Sequence, residues 1–349
     1  MTVLKSYFAR WLPQIEAEMR AVVNAPVLQT VQQPKWFNVM LNYHLGFADA
    51  DGNPAQINAG KRIRPLLVLL ACEACGGDAH TALPAAAAVE LLHNFSLIHD
   101  DIEDGDELRR GRPTLWKQWG TPQAINAGDA MFAQAHLALQ RLTDCAVSAE
   151  RIVRALRAFD GMCVHLTIGQ HLDLSFETRN DVTAAEYMAM IEGKTAALVK
   201  ACCQIGAIVA GADEARIEAL GEFGHGLGLS FQLQDDVLGI WGDPAQTGKQ
   251  DSDLAHGKKT LPVLFAAEHD AQVRQMYFAA KRKSLHNDEI NQLKAMIEAT
   301  GGRVHTEQAA EAAYASALEF WEGAGISETQ NHAGMALREL AQSLLGRSS

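Results

Sequence analysis

The chain has 349 residues, 48% hydrophobic and 21% charged, and its formal net charge of −12 argues against a nucleic-acid-binding protein, which needs a basic face for phosphates. No apolar run approaches the ~20 residues that span a bilayer, and residues 1–20 resemble an amphipathic helix without the apolar core of a signal peptide. These features predict a cytoplasmic protein that neither spans a membrane nor binds nucleic acid.

Helix-type periodicity dominates the chain, whereas the β-branched alternation that is typical of strands is almost absent. The predicted helices cover, in chain order, residues 84–99, 122–141, 149–177, 184–211, 213–239 and 303–322. Short clusters of Gly, Pro and Asp separate them, without a low-complexity linker or a solenoid repeat. We therefore expect one all-α domain over residues 1–349, whose helices surround a common centre.

An acidic cluster follows the first of these helices, in the sequence LIHDDIEDGDELRRG at 97–111. Positions i and i+4 share a helix face, so Asp100 and Asp104 point the same way, with Asp101 beside them. Carboxylates at a helix C-terminus oppose the helix dipole and repel one another unless a cation intervenes. Taken alone, this motif also fits a solvated acidic helix end.

A second aspartate pair, Asp235 and Asp236, follows another apolar helical run in LSFQLQDDVLGIWGD. Two helices that each present such a pair suggest one shared site. A few carboxylates together with phosphate oxygens are the ligands that Mg²⁺ prefers. Basic residues follow both clusters: Arg109, Arg110, Lys249, Lys258 and Lys259. The pattern predicts that the carboxylates hold Mg²⁺, that the metal holds a diphosphate, and that the basic side chains neutralise the remaining charge.

Six motifs between about residues 58 and 265 resemble, in order, those of the trans-isoprenyl diphosphate synthases (polyprenyl synthetases). They are GKRIRP (60–65), LLHNFSLIHDDIEDGDELRRGRPT (91–114), IGQHLDL (168–174), EGKTAAL (192–198), FQLQDD (231–236) and GKQDSDLAHGKKTLP (248–262). The resemblance implies an isoprenoid synthase fold, an orthogonal helix bundle around a central cavity. It also implies a homodimeric transferase that condenses isopentenyl diphosphate with allylic diphosphates.

The resemblance also implies roles for individual residues. About three Mg²⁺ ions per site would stabilise the departing diphosphate as Lewis acids. Their ligands would be carboxylates, direct or supporting: Asp100, Asp101, Asp104, Asp235 and Asp236. The allylic diphosphate would be held by cations: Arg109, Lys194, Lys258 and, close by, Lys249. The metal-free isopentenyl diphosphate pocket would consist of Lys61, Arg64, His93 and Arg110.

Two further residues, Thr195 and Gln232, would stabilise the allylic carbocation with their oxygen dipoles, and the released diphosphate would take the proton. Two assignments have alternatives. Lys249 also fits a solvated loop lysine, and Asp173 fits either the site network or an ordinary helix surface.

One position departs from the family pattern. The second motif usually reads DDxxD, but position 239 is Gly, giving DDVLG. Because the third aspartate is usually described as outside direct metal ligation, we expect activity to be retained. The strength of allylic diphosphate binding and the closure of the following loop are in doubt. Asp243 is a possible substitute, although it lies further along the chain.

Product length is expected to depend on the fifth and fourth residues before Asp100, which are Phe95 and Ser96. They lie about 6–7.5 Å deeper along the helix at 1.5 Å per residue, where a phenyl ring can end an apolar tunnel. In the family, Phe at this position resembles enzymes that make the twenty-carbon product, with the fifteen-carbon product next. Phe95 also fits ordinary core packing.

Two rival functions stay open. A class I terpene cyclase also ionises allylic diphosphates with Mg²⁺ at an aspartate motif, but it needs no isopentenyl diphosphate pocket. A non-catalytic subunit of a heteromeric prenyl synthase has the same fold, but such subunits typically lose the aspartates that this chain keeps.

Overall fold

The computed structural model describes residues 2–25, 35–57, 60–242, 253–278, 285–326 and 331–345. Regular structure in these residues is almost entirely helical, and their strands form one two-stranded hairpin. The predicted all-α class is therefore confirmed.

The α-helices are α1 (Val3–Val23), α2 (Lys35–His44), α3 (Ile63–Ala74), α4 (Leu83–Glu103), α5 (Leu115–Trp119), α6 (Thr121–Gln140), α7 (Ala149–Thr178), α8 (Ala184–Ile191), α9 (Ala197–Ala210), α10 (Glu214–Trp241), α11 (Leu261–His269), α12 (Ala271–Tyr277), α13 (Asn287–Ala299), α14 (Gly302–Gly323) and α15 (His332–Leu345). Single 3₁₀ turns cover Ala79–Ala82 and Arg141–Asp144, and a π-helical turn covers Glu192–Ala196. The strands are β1 (Leu108–Arg109) and β2 (Arg112–Pro113).

Each predicted helix is present, with ends within four residues of the prediction, although the π-helical turn interrupts the predicted helix 184–211. The helix starts follow local chemistry. Pro84 and Pro122 stand in the first turns of α4 and α6, where the missing N–H has no helical partner to lose. Thr183 and Glu186 form a capping box that begins α8.

The chain groups into two compact units. Unit 1 consists of Met1–Phe159, Cys202–Ile217 and Ile326–Leu337, and unit 2 of Asp160–Ala201, Glu218–Gly325 and Arg338–Ser349. In unit 1, the first half of α4 is apolar except for Glu90, which is ion-paired with Arg62, and it is almost entirely buried. In unit 2, one buried cluster includes Phe176, Tyr187, Leu233 and Leu261. A second includes Val263, Tyr277, Leu293 and Ile297.

Two helical stretches of the described chain, Ala79–Glu103 and Ala184–Ala210, are long and apolar enough to span a membrane by length and composition alone. The most apolar 18-residue window of each stretch is largely buried inside the protein, 67% in the first and 72% in the second. Such burial is typical of core helices.

A two-stranded β-hairpin follows the first aspartate cluster. Strand β1 pairs antiparallel with β2, and Arg109 lies opposite Arg112. The two turn residues, Arg110 and Gly111, both have positive φ (54° and 75°), as a tight hairpin turn with the right-handed twist of its strands requires. Arg112 donates to the carbonyl oxygens of Tyr43 and Ala48 and anchors the hairpin within unit 1.

Candidate active site

The first aspartate cluster lies at the C-terminal end of α4. The backbone N–H of Asp104 donates to the carbonyl oxygen of Asp100 at 2.8 Å, so these residues are one helical turn apart, as predicted. Asp101 is 1% exposed, and its Oδ1 accepts a hydrogen bond from Arg109 Nε at 2.6 Å. Burial raises the pKa of Asp101 to about 6, although the Arg109 guanidinium opposes this shift.

The residues predicted to bind isopentenyl diphosphate all lie in unit 1. Arg64 Nη1 lies 3.2 Å from His93 Nε2, and because a guanidinium only donates, this ring nitrogen accepts. Burial, together with the Arg64 and Arg110 guanidiniums, lowers the pKa of His93 well below its usual value. Gly60 packs so closely on Arg110 that an added Cβ would lie 2.9 Å from Arg110 Nη2. The exposed Lys61 follows Gly60 directly.

The second aspartate cluster lies in the last turns of α10, in unit 2. Asp236 is 2% exposed and accepts hydrogen bonds from the Tyr187 hydroxyl, from Gln232 Nε2 at 3.2 Å and from the Leu261 N–H at 3.4 Å. Burial raises the pKa of Asp236 to about 7, and these hydrogen bonds limit the rise. Asp235 is partly exposed beside it. One member of the pair is therefore anchored in the protein.

The π-helical turn Glu192–Ala196 carries two of the predicted catalytic residues. Lys194 Nζ forms an ion pair with Asp173 Oδ2, so Asp173 contacts one of the predicted site residues. Thr195 Oγ1 donates to Gln232 Oε1 at 2.9 Å. Because Gln232 also donates to Asp236, the hydrogen bonds connect Thr195 to the second aspartate cluster. Single π-helical turns inside helices occur frequently at functional sites.

Glycines allow this turn to approach its neighbours. An added Cβ on Gly169 of α7 would lie 2.2 Å from the backbone nitrogen of Lys194, and one on Gly193 would lie 2.6 Å from the His165 carbonyl oxygen. On the side of α10, an added Cβ on Gly228 would lie 2.6 Å from Ala196 Cα. The backbone contacts that hold Lys194 and Thr195 in place leave no room for side chains here.

Lys258 lies in the turn before α11 and has an exposed side chain. Its backbone is held at both polar groups: its N–H donates to the Asp253 carbonyl oxygen at 3.1 Å, and its carbonyl oxygen accepts from the Tyr277 hydroxyl at 2.6 Å. Lys249 and Asp243, named from the sequence, lie outside the described residues.

The predicted tunnel floor is part of a series of aromatic contacts in unit 1. The Phe95 ring lies 4.8 Å from the His99 ring and 5.0 Å from the Phe132 ring, measured between centroids. The series continues from Phe132 through His136 to Phe159. Phe95 is partly exposed, and the hydroxyl of Ser96 donates to the His93 carbonyl oxygen at 2.8 Å. Phe95 is thus supported by α6 while part of its surface stays accessible.

A sequence model described as polyprenyl synthetase matches residues 53–297 of this chain. The chain belongs to the polyprenyl synthetase family. It is 45% identical to the geranylgeranyl diphosphate synthase of Mycobacterium tuberculosis, over 79% of this chain and 78% of that protein. It is 46% identical to the (2E,6E)-farnesyl diphosphate synthase of Mycobacterium bovis, over 76% of this chain and 74% of that protein.

Solved structures of polyprenyl synthetases have the same fold. The crystal structure of the polyprenyl synthetase from Streptomyces coelicolor A3(2) superposes with a TM-score of 0.87 at 36% identity, over 98% of this chain and 99% of that chain. The predicted isoprenoid synthase fold and transferase class are confirmed, and the chain is a short-chain prenyltransferase. Polyprenyl synthetases generally depend on Mg²⁺.

The aspartates of this polyprenyl synthetase fit Mg²⁺ that is shared with a phosphate ligand. Among the described residues, no group of three or more His, Cys, Asp or Glu side chains forms a metal cage by itself. Asp101 Oδ2 is buried and has no hydrogen-bond partner in that part of the chain. Mg²⁺ is commonly bound through one or two carboxylates and completes its shell with water and phosphate oxygens.

Two polar residues that lie beside the aspartates were not predicted from the sequence. His44 ends α2 and lines a small cavity with Asp101, Arg109 and Arg110. Burial and the surrounding guanidiniums, Arg109 foremost, lower the pKa of His44 to about 3, so the ring is neutral at pH 7. Tyr187 reaches Asp236 across 49 residues of chain. Neither residue belongs to a motif, so spacing and periodicity carried no signal for them.

We expect Gly169→Ala to lower the free energy of unfolding by about 1–3 kcal/mol and to reduce prenyltransferase turnover, because the new methyl group displaces the backbone of Lys194. Urea denaturation and steady-state kinetics measure the two effects. The matched control is Gly161→Ala on the same helix, where an added Cβ meets nothing within 4 Å. Wild-type stability and turnover in Gly169→Ala would contradict this account of the π-helical turn.

Proposed function

We propose that this polyprenyl synthetase condenses isopentenyl diphosphate with an allylic diphosphate, head to tail, and that its main product is geranylgeranyl diphosphate, with farnesyl diphosphate next. The observation that carries the proposal is the anchoring of one aspartate in each cluster. Asp101 is held by Arg109, and Asp236 by Tyr187 and Gln232. Each anchor holds one carboxylate of its cluster near the C-terminal end of a helix.

In this proposal, Asp100, Asp104 and Asp235 hold the metal ions, and Asp101 and Asp236 orient them as supporting groups. Bound Mg²⁺, about three ions per site, supplies Lewis-acid stabilisation of the departing diphosphate. That both clusters act on one allylic diphosphate rests on the order of the six motifs and on the family. A solvated acidic helix end does not account for a buried, ion-paired Asp101.

The cationic side chains neutralise the diphosphate groups of the two substrates. Arg109, Lys194 and Lys258 hold the allylic diphosphate, with Lys249 as a further candidate. The isopentenyl diphosphate binds to Lys61, Arg64, His93 and Arg110. Because neutral His93 accepts from Arg64, it fixes the plane of a guanidinium that can engage phosphate oxygens in pairs.

Ionisation of the allylic C–O bond leaves a carbocation, which the isopentenyl double bond attacks. The Thr195 hydroxyl donates a hydrogen bond to Gln232 Oε1, so the lone pairs of the hydroxyl oxygen stay available to stabilise nearby positive charge. A proton is then lost from the new cation, and the released diphosphate accepts it. In this scheme no side chain acts as the base, and Thr195 and Gln232 act through their dipoles alone.

The assay that tests the function uses the purified chain with Mg²⁺, isopentenyl diphosphate and one primer at a time: dimethylallyl, geranyl or farnesyl diphosphate. Mass spectrometry of the products is expected to show chains ending at twenty carbons. A hydrocarbon formed from geranylgeranyl diphosphate alone would identify a terpene cyclase instead. Absence of any product from the folded chain would favour the non-catalytic subunit.

We also propose that the chain forms a homodimer and works in the cytoplasm as one synthase domain over residues 1–349. The family supports the dimer, and the compartment is proposed because the relatives of this chain are soluble enzymes.

We expect Phe95→Ala to lengthen the product by one isoprene unit or more, because the methyl side chain removes the ring that ends the tunnel. Relatives named for the farnesyl and geranylgeranyl products are almost equally similar to this chain, so sequence identity does not indicate the product length. The prediction of product length therefore depends on the Phe95 ring. Product sizing by mass spectrometry measures the change. Phe320→Ala, at a phenylalanine 41% exposed on α14, is the control, and an unchanged product in Phe95→Ala would exclude Phe95 as the floor.

A further inference from the structure

A small cavity in unit 1 lies beside the first aspartate cluster. It has a volume of about 30 Å³, and the residues that line it include His44, Asp101, Arg109 and Arg110. A space of about 10–15 Å³ is enough for one water molecule. The cavity is therefore large enough for one or two water molecules and too small for a diphosphate.

Two of the residues that line this cavity each carry a buried polar atom without a hydrogen-bond partner among the described residues. These atoms are His44 Nε2 and Asp101 Oδ2. The other carboxylate oxygen, Asp101 Oδ1, accepts a hydrogen bond from Arg109 Nε at 2.6 Å. Since an unpaired buried polar atom costs free energy, such atoms are nearly always paired with protein or with ordered water. Water in the cavity would pair with both of them.

The charges around the cavity favour a neutral ligand. Three guanidiniums line it, those of Arg109, Arg110 and Arg112, and they repel a metal cation. The Asp101 carboxylate repels an anion. Burial and the guanidiniums, Arg109 foremost, lower the pKa of His44 to about 3, so its ring is neutral at pH 7. Whichever ring nitrogen carries the proton, a water molecule can pair with Nε2 and donate to a carboxylate oxygen.

The backbone on both sides of His44 is held by buried or half-buried arginines. The carbonyl oxygen of Tyr43 accepts from Arg112 Nη1 at 3.1 Å, and that of Leu45 accepts from Arg62 Nη2 at 2.9 Å. Arg62 belongs to the motif at 60–65, and Arg112 to the motif at 91–114. The end of α2 is thus fixed to both motifs, and His44 has the defined position that a residue needs in order to orient another one.

We propose that His44 and Asp101 hold a water molecule between them in this cavity, and that His44 acts through this water as a positioning residue for Asp101. Arg109 then holds one oxygen of the carboxylate and the water holds the other. The effect on the reaction rests on the proposed function, which makes Asp101 a supporting group and assigns Arg109 to the allylic diphosphate. The water site itself does not rest on it. His44 lies outside the six motifs and outside the residues that the family model matches.

The first test is a high-resolution crystal structure of the wild-type chain, from crystals grown with EDTA. We expect density for a water molecule within about 3.2 Å of both His44 Nε2 and Asp101 Oδ2. The same crystals of His44→Leu are expected to lack this water. An empty cavity in the wild-type chain would overturn the proposal. So would density that appears only with Mg²⁺ and at the shorter ligand distances of about 2.1 Å.

The second test compares His44→Leu with His44→Gln, because leucine has no polar side-chain atom whereas glutamine places an amide near the position of Nε2. We expect His44→Leu to raise the KM for the allylic diphosphate about tenfold and His44→Gln to stay within about twofold of the wild type. His332→Leu, at the exposed first residue of α15, is the control. Equal KM values in the Leu and Gln variants would contradict a role through hydrogen bonding. Thermal unfolding confirms that the compared chains are folded.

The third test asks whether His44 acts through Asp101. Calorimetry measures the binding of Mg²⁺ with inorganic pyrophosphate to His44→Leu, to Asp101→Ala and to the double variant. We expect His44→Leu to weaken binding about tenfold in the wild-type background but less than about twofold in the Asp101→Ala background. Equal losses in both backgrounds would overturn the proposal.

These experiments distinguish a failure of the inference from a failure of the proposed function. If the wild-type chain forms no prenyl product, the proposed function fails, and the crystal structure still tests the water site. If the chain forms prenyl products but the cavity holds no water, the inference fails and the proposed function stands.

Discussion

The constraint on which the rest of the site depends is the burial of aspartates beside the core. Asp101 and Asp236 are almost fully withdrawn from water, which costs free energy for an ionised carboxylate unless partners offset it. Arg109 offsets it at the first cluster, and Tyr187 with Gln232 does so at the second. Removing one of these partners would leave a buried carboxylate without its hydrogen bond, so Asp101 and Asp236 are held in place by the folded protein itself.

Several cations predicted to bind diphosphate are positioned by close contacts between packed segments. Gly169 and Gly228 bring α7 and α10 against the π-helical turn, and Gly60 lets the Arg110 guanidinium pack on the chain before α3. Lys194, Arg110 and Lys258 all take their places from such contacts or from hydrogen bonds of the main chain.

The sequence predicted most of the fold and the main composition of the site, since both depend on local patterns. Helical periodicity located the helices to within a few residues, and the i, i+4 rule placed Asp100 and Asp104 on one face. The π-helical turn was not predicted, because one extra residue in a helical turn hardly alters the pattern of apolar residues. The contacts of Tyr187 with Asp236 and of Asp253 with Gly239 join distant segments, and only folding brings these together.

The central claim is that both aspartate clusters act on the same departing diphosphate. Steady-state turnover of Asp100→Asn, Asp235→Asn and the double variant, at saturating Mg²⁺ and both substrates, tests it most directly. If the clusters stabilise one transition state, each single substitution lowers kcat by about 100-fold or more. The double variant then loses a much smaller factor in kcat than the product of the two single losses. Wild-type turnover in either folded single variant would contradict the account.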